Sequence, residues 1–298
     1  MDEAQPASVL ERLELPPIFC PLESRINPAR AWGERRAIEW IDRQGLGADP
    51  GERARVVGTH SADFYARFAP FAVEDGLLVA VLWVYWGFAF DDARCDVGYY
   101  SSRPEEFVPM AYRTQRALEV PGASEGDVYT RALADIAARL RATGTPVQVQ
   151  RFVASHRAWL DGVAWQIANQ AGARTPSLDD YVTLRLHSAG GEPTFSLLEI
   201  ANGAEVPASE MDSPPVRALT EMAILTAALD NDRHSVTREM TTQDGVQNIY
   251  TVLRNQGVPP GLAGRCGLAD REPGGCPHAL AGRLRHPAPP LGGRRAHV

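Results

Sequence analysis

The sequence predicts an all-α fold, and three observations carry that expectation. From Asn27 onward, one segment after another places apolar residues at three- and four-residue spacing with turn chemistry between; strand-type alternation is scarce; and no internal repeat occurs. The 298 residues are 44% apolar, enough for a real core. Net charge is −7 and the body of the chain has no basic run, so nucleic acid and anionic membrane are poor partners.

The start, MDEAQPASVLERLELPP, has neither a basic stretch nor an apolar run, so no signal or transit peptide is expected and the cytoplasm is the default location. Residues 27–47 open on Asn-Pro and stop at glycine, the punctuation of a helix. Further helices are expected over 61–71, 73–90, 104–118, 126–141, 146–171, 177–186, 194–202 and 215–241. The apolar run 76–90 is expected to fall short of a membrane span, since it ends in aspartates. HSAGGEPTF, 187–195, interrupts what would otherwise be one long helix, because two glycines and a proline cannot continue it. From 258 to 298 the character changes: 15 of 41 residues are Gly or Pro and none is Phe, Tyr, Trp, Ile or Met, so the segment is expected to be disordered or frame-shifted. Cys20, Cys95, Cys266 and Cys276 have no paired C-x-x-C spacing and read as incidental thiols.

Two clusters carry chemistry. VYWGFAFDDARCD, 84–96, ends a run of large apolar side chains in Asp91, Asp92 and Asp96. Unpaired carboxylates are costly to bury, and a few hard oxygens at the rim of an apolar helix suit magnesium. The plainer alternative is a solvated acidic helix end. The second cluster, NDRHSVTRE, 231–239, lies on the last long helix. At about 100° per residue, Asn231, Ser235, Arg238 and Glu239 fall within about 100° of one another, so an amide, a hydroxyl and a carboxylate can embrace one cation while Arg238 holds an anion beside it. Here the alternative is a polar outer face.

Together these clusters resemble the bacterial class I terpene synthases, in which a D-D-x-x-x-D/E motif faces an N-D-x-x-S-x-x-K/R-E motif across an all-α cavity. The sequence reads Asp91-Asp92-Ala93-Arg94-Cys95-Asp96 and Asn231-Asp232-Arg233-His234-Ser235-Val236-Thr237-Arg238-Glu239. FCPLESRINP and FAPFAVEDGLLVAVLWVYWGFAFDD look like the family's approach to the first motif, and Arg185 stands 46 residues before Asn231, where the family places its diphosphate sensor. The resemblance covers residues 16–257 and implies a single class I helical bundle around a central apolar cavity, with 258–298 as an atypical tail.

Carried over by residue, the likeness implies three Mg²⁺ ions, two held by Asp91 and Asp96 and the third by Asn231, Ser235 and Glu239. It implies that Arg185 and Arg238 grip a prenyl diphosphate, farnesyl diphosphate by default, and that Asp92 orients the arginines. Ser188 and Ala189, before Gly190 and Gly191, would be the catalytic effector region, where carbonyls face cationic carbon. Tyr85 and Phe88, with Phe64, Trp83 or Trp86, are candidate cavity lining, core packing being the alternative for each. The implied product is a cyclic terpene hydrocarbon or alcohol, and the implied assembly a homodimer. Two rival readings stand beside it. A chain-elongating prenyltransferase would need a second aspartate-rich motif, and Asp179-Asp180 lacks the third acid; a catalytically impaired relic rests on the tail and on the absence of an Arg-Tyr pair after Glu239.

Overall fold

Capping chemistry sets several helix boundaries in the computed structural model, which describes residues 22–96, 98–123, 125–242 and 248–258, the side chains of 237–242 excepted. Helix α1, Arg30–Gln44, stops where Gly45 takes a left-handed conformation, φ 74°, that a side chain would resist. Helix α2, Pro50–Gly58, starts on the side chain of Asp49, which accepts from the backbone N–H of Gly51 and Glu52. Helix α3, Ser61–Phe68, ends short of the expected 71 because Pro70 follows. Helix α4, Glu74–Asp91, passes directly into a π-helical turn, Asp92–Asp96.

After α5, Pro104–Glu119, and α6, Val128–Thr143, the long α7, Pro146–Ala171, is launched by a capping box of Thr145 and Gln148 with Pro146 at its first position. Ser177 caps α8, Leu178–Ser188. The break is narrower than the sequence suggests: Gly190 turns left-handed, φ 70°, and α9, Gly191–Asn202, resumes at once. Pro193 sits in its first turn, where no helical N–H is lost. The described chain closes with α10, Ala208–Met211, α11, Pro214–Thr242, and α12, Ile249–Asn255, capped by Asn248. No strand occurs among the described residues. The N-terminal part of the expected domain before residue 22, the tail from 259, and Cys20, Cys266 and Cys276 lie outside them.

Helix α4 is the axis of the bundle. It is apolar on all sides because neighbours surround it: α1, α3, α6 and α9 pack against it, and Gly76 lets α9 approach so closely that a Cβ would lie 2.4 Å from the carbonyl oxygen of Ile200. Contrary to expectation, the helix with its π-turn is long and apolar enough to cross a membrane, yet 72% of its most apolar window is buried inside the bundle. Its apolarity is that of a core helix. Polar ties fix its surroundings: Trp86 Nε1 donates to the Tyr129 carbonyl at 2.8 Å, Trp40 Nε1 to Asp135 at 2.8 Å, and Tyr65 Oη to the Thr194 carbonyl at 3.1 Å.

Candidate active site

The first motif sits where α4 changes geometry. In a continuing α-helix Asp91 and Asp96 would point about 140° apart. The π-turn adds one residue per turn, so i and i+5 come into line, and the two carboxyls sense each other. Desolvation, then the charge of Asp96, pushes the Asp91 carboxyl well above the usual carboxylate range, with Asp92 adding to the rise; a hydrogen bond from Cys95 and the charge of Arg185 oppose it. Cys95 is the fully buried free thiol beneath the turn, and burial followed by Asp91 pushes it up. Carboxylates gathered at a helix C-terminus, where the dipole also disfavours negative charge, fit a cation.

The second motif lies across from it on α11. Arg185, in the last turn of α8, joins the two: its charge acts on Asp91, its Nη2 lies 2.8 Å from Asp232 Oδ1, and the same nitrogen reaches Asn231 Oδ1 at 3.4 Å and the Ala228 carbonyl at 3.3 Å. Asn231 is exposed, whereas Ser235 is buried with its hydroxyl back-bonded to the Asp232 carbonyl at 3.3 Å. Arg238 and Glu239 follow on the same helix, their side chains outside the described residues. Among the described residues no three His, Cys, Asp or Glu side chains converge on one metal position. The donors available are hard oxygens, Asp91 and Asp96 on one side and Asn231 and Ser235 on the other, which suits a divalent ion of the magnesium type.

Asp232 is the residue that sequence reasoning passed over. It accepts from the Tyr181 hydroxyl and from Ile249 N at 3.2 Å while pairing with Arg185, and Asn248 Nδ2 donates to its carbonyl at 2.8 Å. It therefore fastens α8, α11 and α12 together under the proposed sensor. The signal available was the residue's place beside Asn231 in the motif.

At the helix break, Ser188's carbonyl accepts from Trp159 Nε1 at 3.2 Å and Gly190's accepts from the Thr194 hydroxyl at 2.7 Å. Among the described hydrogen bonds Ala189's carbonyl receives no donor, so of the three it alone has none to surrender. Ser188 is buried and its hydroxyl has no partner among the described residues. On the wall below Asp91, Tyr85 takes the core-packing alternative. Tyr85 is fully buried with its hydroxyl donating to Glu34 at 2.9 Å, so it packs toward α1 and does not line an open space. Phe88 does remain 41% exposed, edge-on to Phe64 at 6.4 Å, and Phe68 and Phe195 extend the aromatic surface at 4.8 Å from each other.

Residues 82–260 match the family described as terpene synthase family 2, C-terminal metal binding, and both motifs fall inside that segment. Spiroviolene synthase of Streptomyces violens is 54% identical over 253 residues, covering 84% of this chain and 70% of the relative. A 4-epi-cubebol synthase, (2E,6E)-farnesyl diphosphate cyclizing, of Streptosporangium roseum is 32% identical over 245 residues, covering 81% and 73%. The crystal structure of the SVS_A2 protein from ancestral sequence reconstruction superposes with a TM-score of 0.80 at 60% identity, covering 84% of this chain and 76% of that one. The chain belongs to the terpene synthase family, all-α lyases of the class I fold that act on prenyl diphosphates and depend on divalent metal.

Proposed function

We propose that the chain is a Mg²⁺-dependent cyclase that ionises farnesyl diphosphate and closes the resulting cation to a terpene hydrocarbon or alcohol, releasing diphosphate. The observation that carries this reading is Arg185, whose guanidinium bridges Asn231 and Asp232 and reaches Asp91 electrostatically, uniting both motifs. Farnesyl as the chain length rests on the resemblance and on the name of the Streptosporangium roseum relative. Three Mg²⁺ ions, two on Asp91 and Asp96 and one on Asn231, Ser235 and Glu239, would supply charge that stabilises departing diphosphate.

The chain's own groups do the rest. Arg185 and Arg238 bind and orient the diphosphate, so that when the carbon–oxygen bond breaks both electrons leave with it onto an oxygen already met by guanidinium. The Ala189 carbonyl, with Ser188 beside it, turns a bare dipole toward the allylic cation. Phe88 and Phe64 present ring faces that stabilise positive carbon without attacking it and keep water out. Loss of a proton, or capture of water, ends the sequence. The catalytic unit is the helical domain 16–257, with 258–298 as a tail; the cytoplasm is its expected location and a homodimer the assembly to test by light scattering.

Incubating purified protein with Mg²⁺ and, separately, geranyl, farnesyl and geranylgeranyl diphosphate, then analysing volatiles by gas chromatography and mass spectrometry, tests the proposal. A cyclic product from farnesyl diphosphate supports it, and one from another chain length corrects only the substrate. No product from folded protein sinks it in favour of the relic, and longer prenyl diphosphates made with isopentenyl diphosphate favour the prenyltransferase.

A further inference from the structure

An arginine inside an aspartate motif is unexpected, because it could neutralise the carboxylates meant for metal. The structure shows why Arg94 does not. Its side chain leaves the π-turn in another direction: Nη2 donates to Asp127 Oδ2 at 2.8 Å, and the guanidinium carbon lies 5.3 Å from the ring centre of Tyr100 and 5.2 Å from that of Tyr129. Asp127 is fixed in turn, since its other oxygen caps α6 by accepting from the N–H and hydroxyl of Thr130, at 2.9 and 3.0 Å. Tyr129 is held through its carbonyl by Trp86 of α4, whose ring stacks on Phe90 at 4.8 Å. The path returns to the helix that carries Asp91.

We propose that Arg94 is a positioning residue for the metal motif: seated between Tyr100 and Tyr129 and paired with Asp127, it holds the Asp92–Asp96 turn in the π geometry that lines Asp96 up with Asp91. The inference rests on the metal-binding role proposed above for those two carboxylates. Left alone, the turn works against itself. Three carboxylates repel one another at a helix C-terminus, and an α-helical continuation would satisfy the backbone equally while separating Asp91 from Asp96. A planar guanidinium wedged between two rings and pinned to a carboxylate supplies a restraint in both distance and plane, which an ammonium would not.

The test is a calorimetric titration of Mn²⁺, with inorganic diphosphate present, into wild type, Arg94→Met, Arg94→Lys and Asp127→Asn, with melting followed in parallel by circular dichroism. Groups that orient metal ligands typically contribute 10–100-fold to affinity, so Arg94→Met is expected to weaken Mn²⁺ binding by about tenfold or more. Arg94→Lys should fall between it and wild type, and Asp127→Asn, which keeps an acceptor for the α6 cap, should show a smaller loss in the same direction. Melting within about 4 °C of wild type is expected for Arg94→Lys, a change of about 1–2 kcal/mol in a domain of this size. Wild-type affinity in Arg94→Met overturns the proposal. So does unaltered affinity in Arg94→Lys should the methionine variant fail to fold. Wild-type protein that binds no Mn²⁺ under these conditions counts against the function itself, an outcome distinct from equal binding by all four proteins.

Discussion

Removing the Asp232 carboxylate should destabilise this protein far more than removing any surface acid, even without substrate or metal. Its side chain is 4% exposed and that of its partner Arg185 is 13% exposed, so little water can replace the lost charge. Breaking one side of a buried pair typically costs about 3–5 kcal/mol because the other charge is left uncompensated. Asp232→Ala also strips an acceptor from the Tyr181 hydroxyl and the Ile249 N–H, a further about 1–3 kcal/mol for each group that finds no substitute. These losses overlap, so about 3 kcal/mol is a fair lower bound. For a domain of this size that corresponds to a drop in melting temperature of about 6–12 °C. Asp232→Asn, which keeps an acceptor but not the charge, should fall partway. Melting followed at 222 nm gives the answer, with Glu221→Ala as control: Glu221 pairs with Arg217, whose side chain is 76% exposed, and is expected to change stability by about 0.5 kcal/mol or less. An Asp232→Ala protein melting with the control would refute the reasoning.

Other perturbations are as specific. Asp91→Ala or Asn231→Ala should abolish turnover, and Arg185→Ala should cut it by about 10²-fold or more as a donor to the departing charge is lost; retained activity in either metal-ligand variant overturns the site. Gly162→Ala would put a Cβ 2.7 Å from His187 Cβ and 2.8 Å from Ser188 N, forcing α7 from α8 beside the helix break. A loss of about 1–3 kcal/mol in urea unfolding is expected, and unchanged unfolding would disprove the close approach. His156 is fully buried, its Nδ1 against Gln115 Oε1 at 2.7 Å, and desolvation lowers its pKa from 6.5 to about 3. The unfolded chain therefore takes up the proton first, so this contribution to stability is complete above pH 6.5 and is lost as pH falls toward 3, at about 1.4 kcal/mol per unit. His156→Gln should flatten the decline between pH 6.5 and 4 relative to wild type; parallel curves would contradict this.

What the sequence made legible and what it did not divide along physical lines. The bounds of α7 match the expected 146–171 because Thr145, Pro146 and Gln148 form a local start signal that needs no tertiary context. Asp91, Arg185 and Asn231 could be brought together on paper because motif spacing travels with the helices, and the structure sets Arg185 against Asn231. Tyr85 could not be placed, since a helix apolar on every side gives no face preference. On a regular helix Phe88 lies about 60° and Tyr85 about 120° from Asp91 in the same sense, so a further step of about 60° carries Tyr85 from the exposed wall into its contact with Glu34 of α1. The π-turn was hidden for a related reason: it is stabilised by Arg94 reaching Asp127, 33 residues away, and no local spacing announces it. Helix α2 escaped notice because PGERARVVG has a single buried residue, Val56, and so no periodic stripe.

The same long-range bonds bear on how the site could work. A guanidinium that must swing in to meet a departing diphosphate loses part of its effect to reorganisation, whereas one fixed beforehand does not. Arg185 is of the second kind. It lies in the last turn of α8, where the helix dipole favours a cation, and Asp232, itself bound by Tyr181 and Ile249, holds it against Asn231. It stands three positions before Ser188, where Trp159 ties the break to the aromatic core around Trp83, Trp86 and Phe90. A displacement of the sensor by diphosphate would therefore be resisted at Asp232 and transmitted along one helical turn to the Ala189 carbonyl. The rigid helix C-terminus, more than any single contact, makes the proposed anion grip and the proposed cation-facing carbonyl parts of one device.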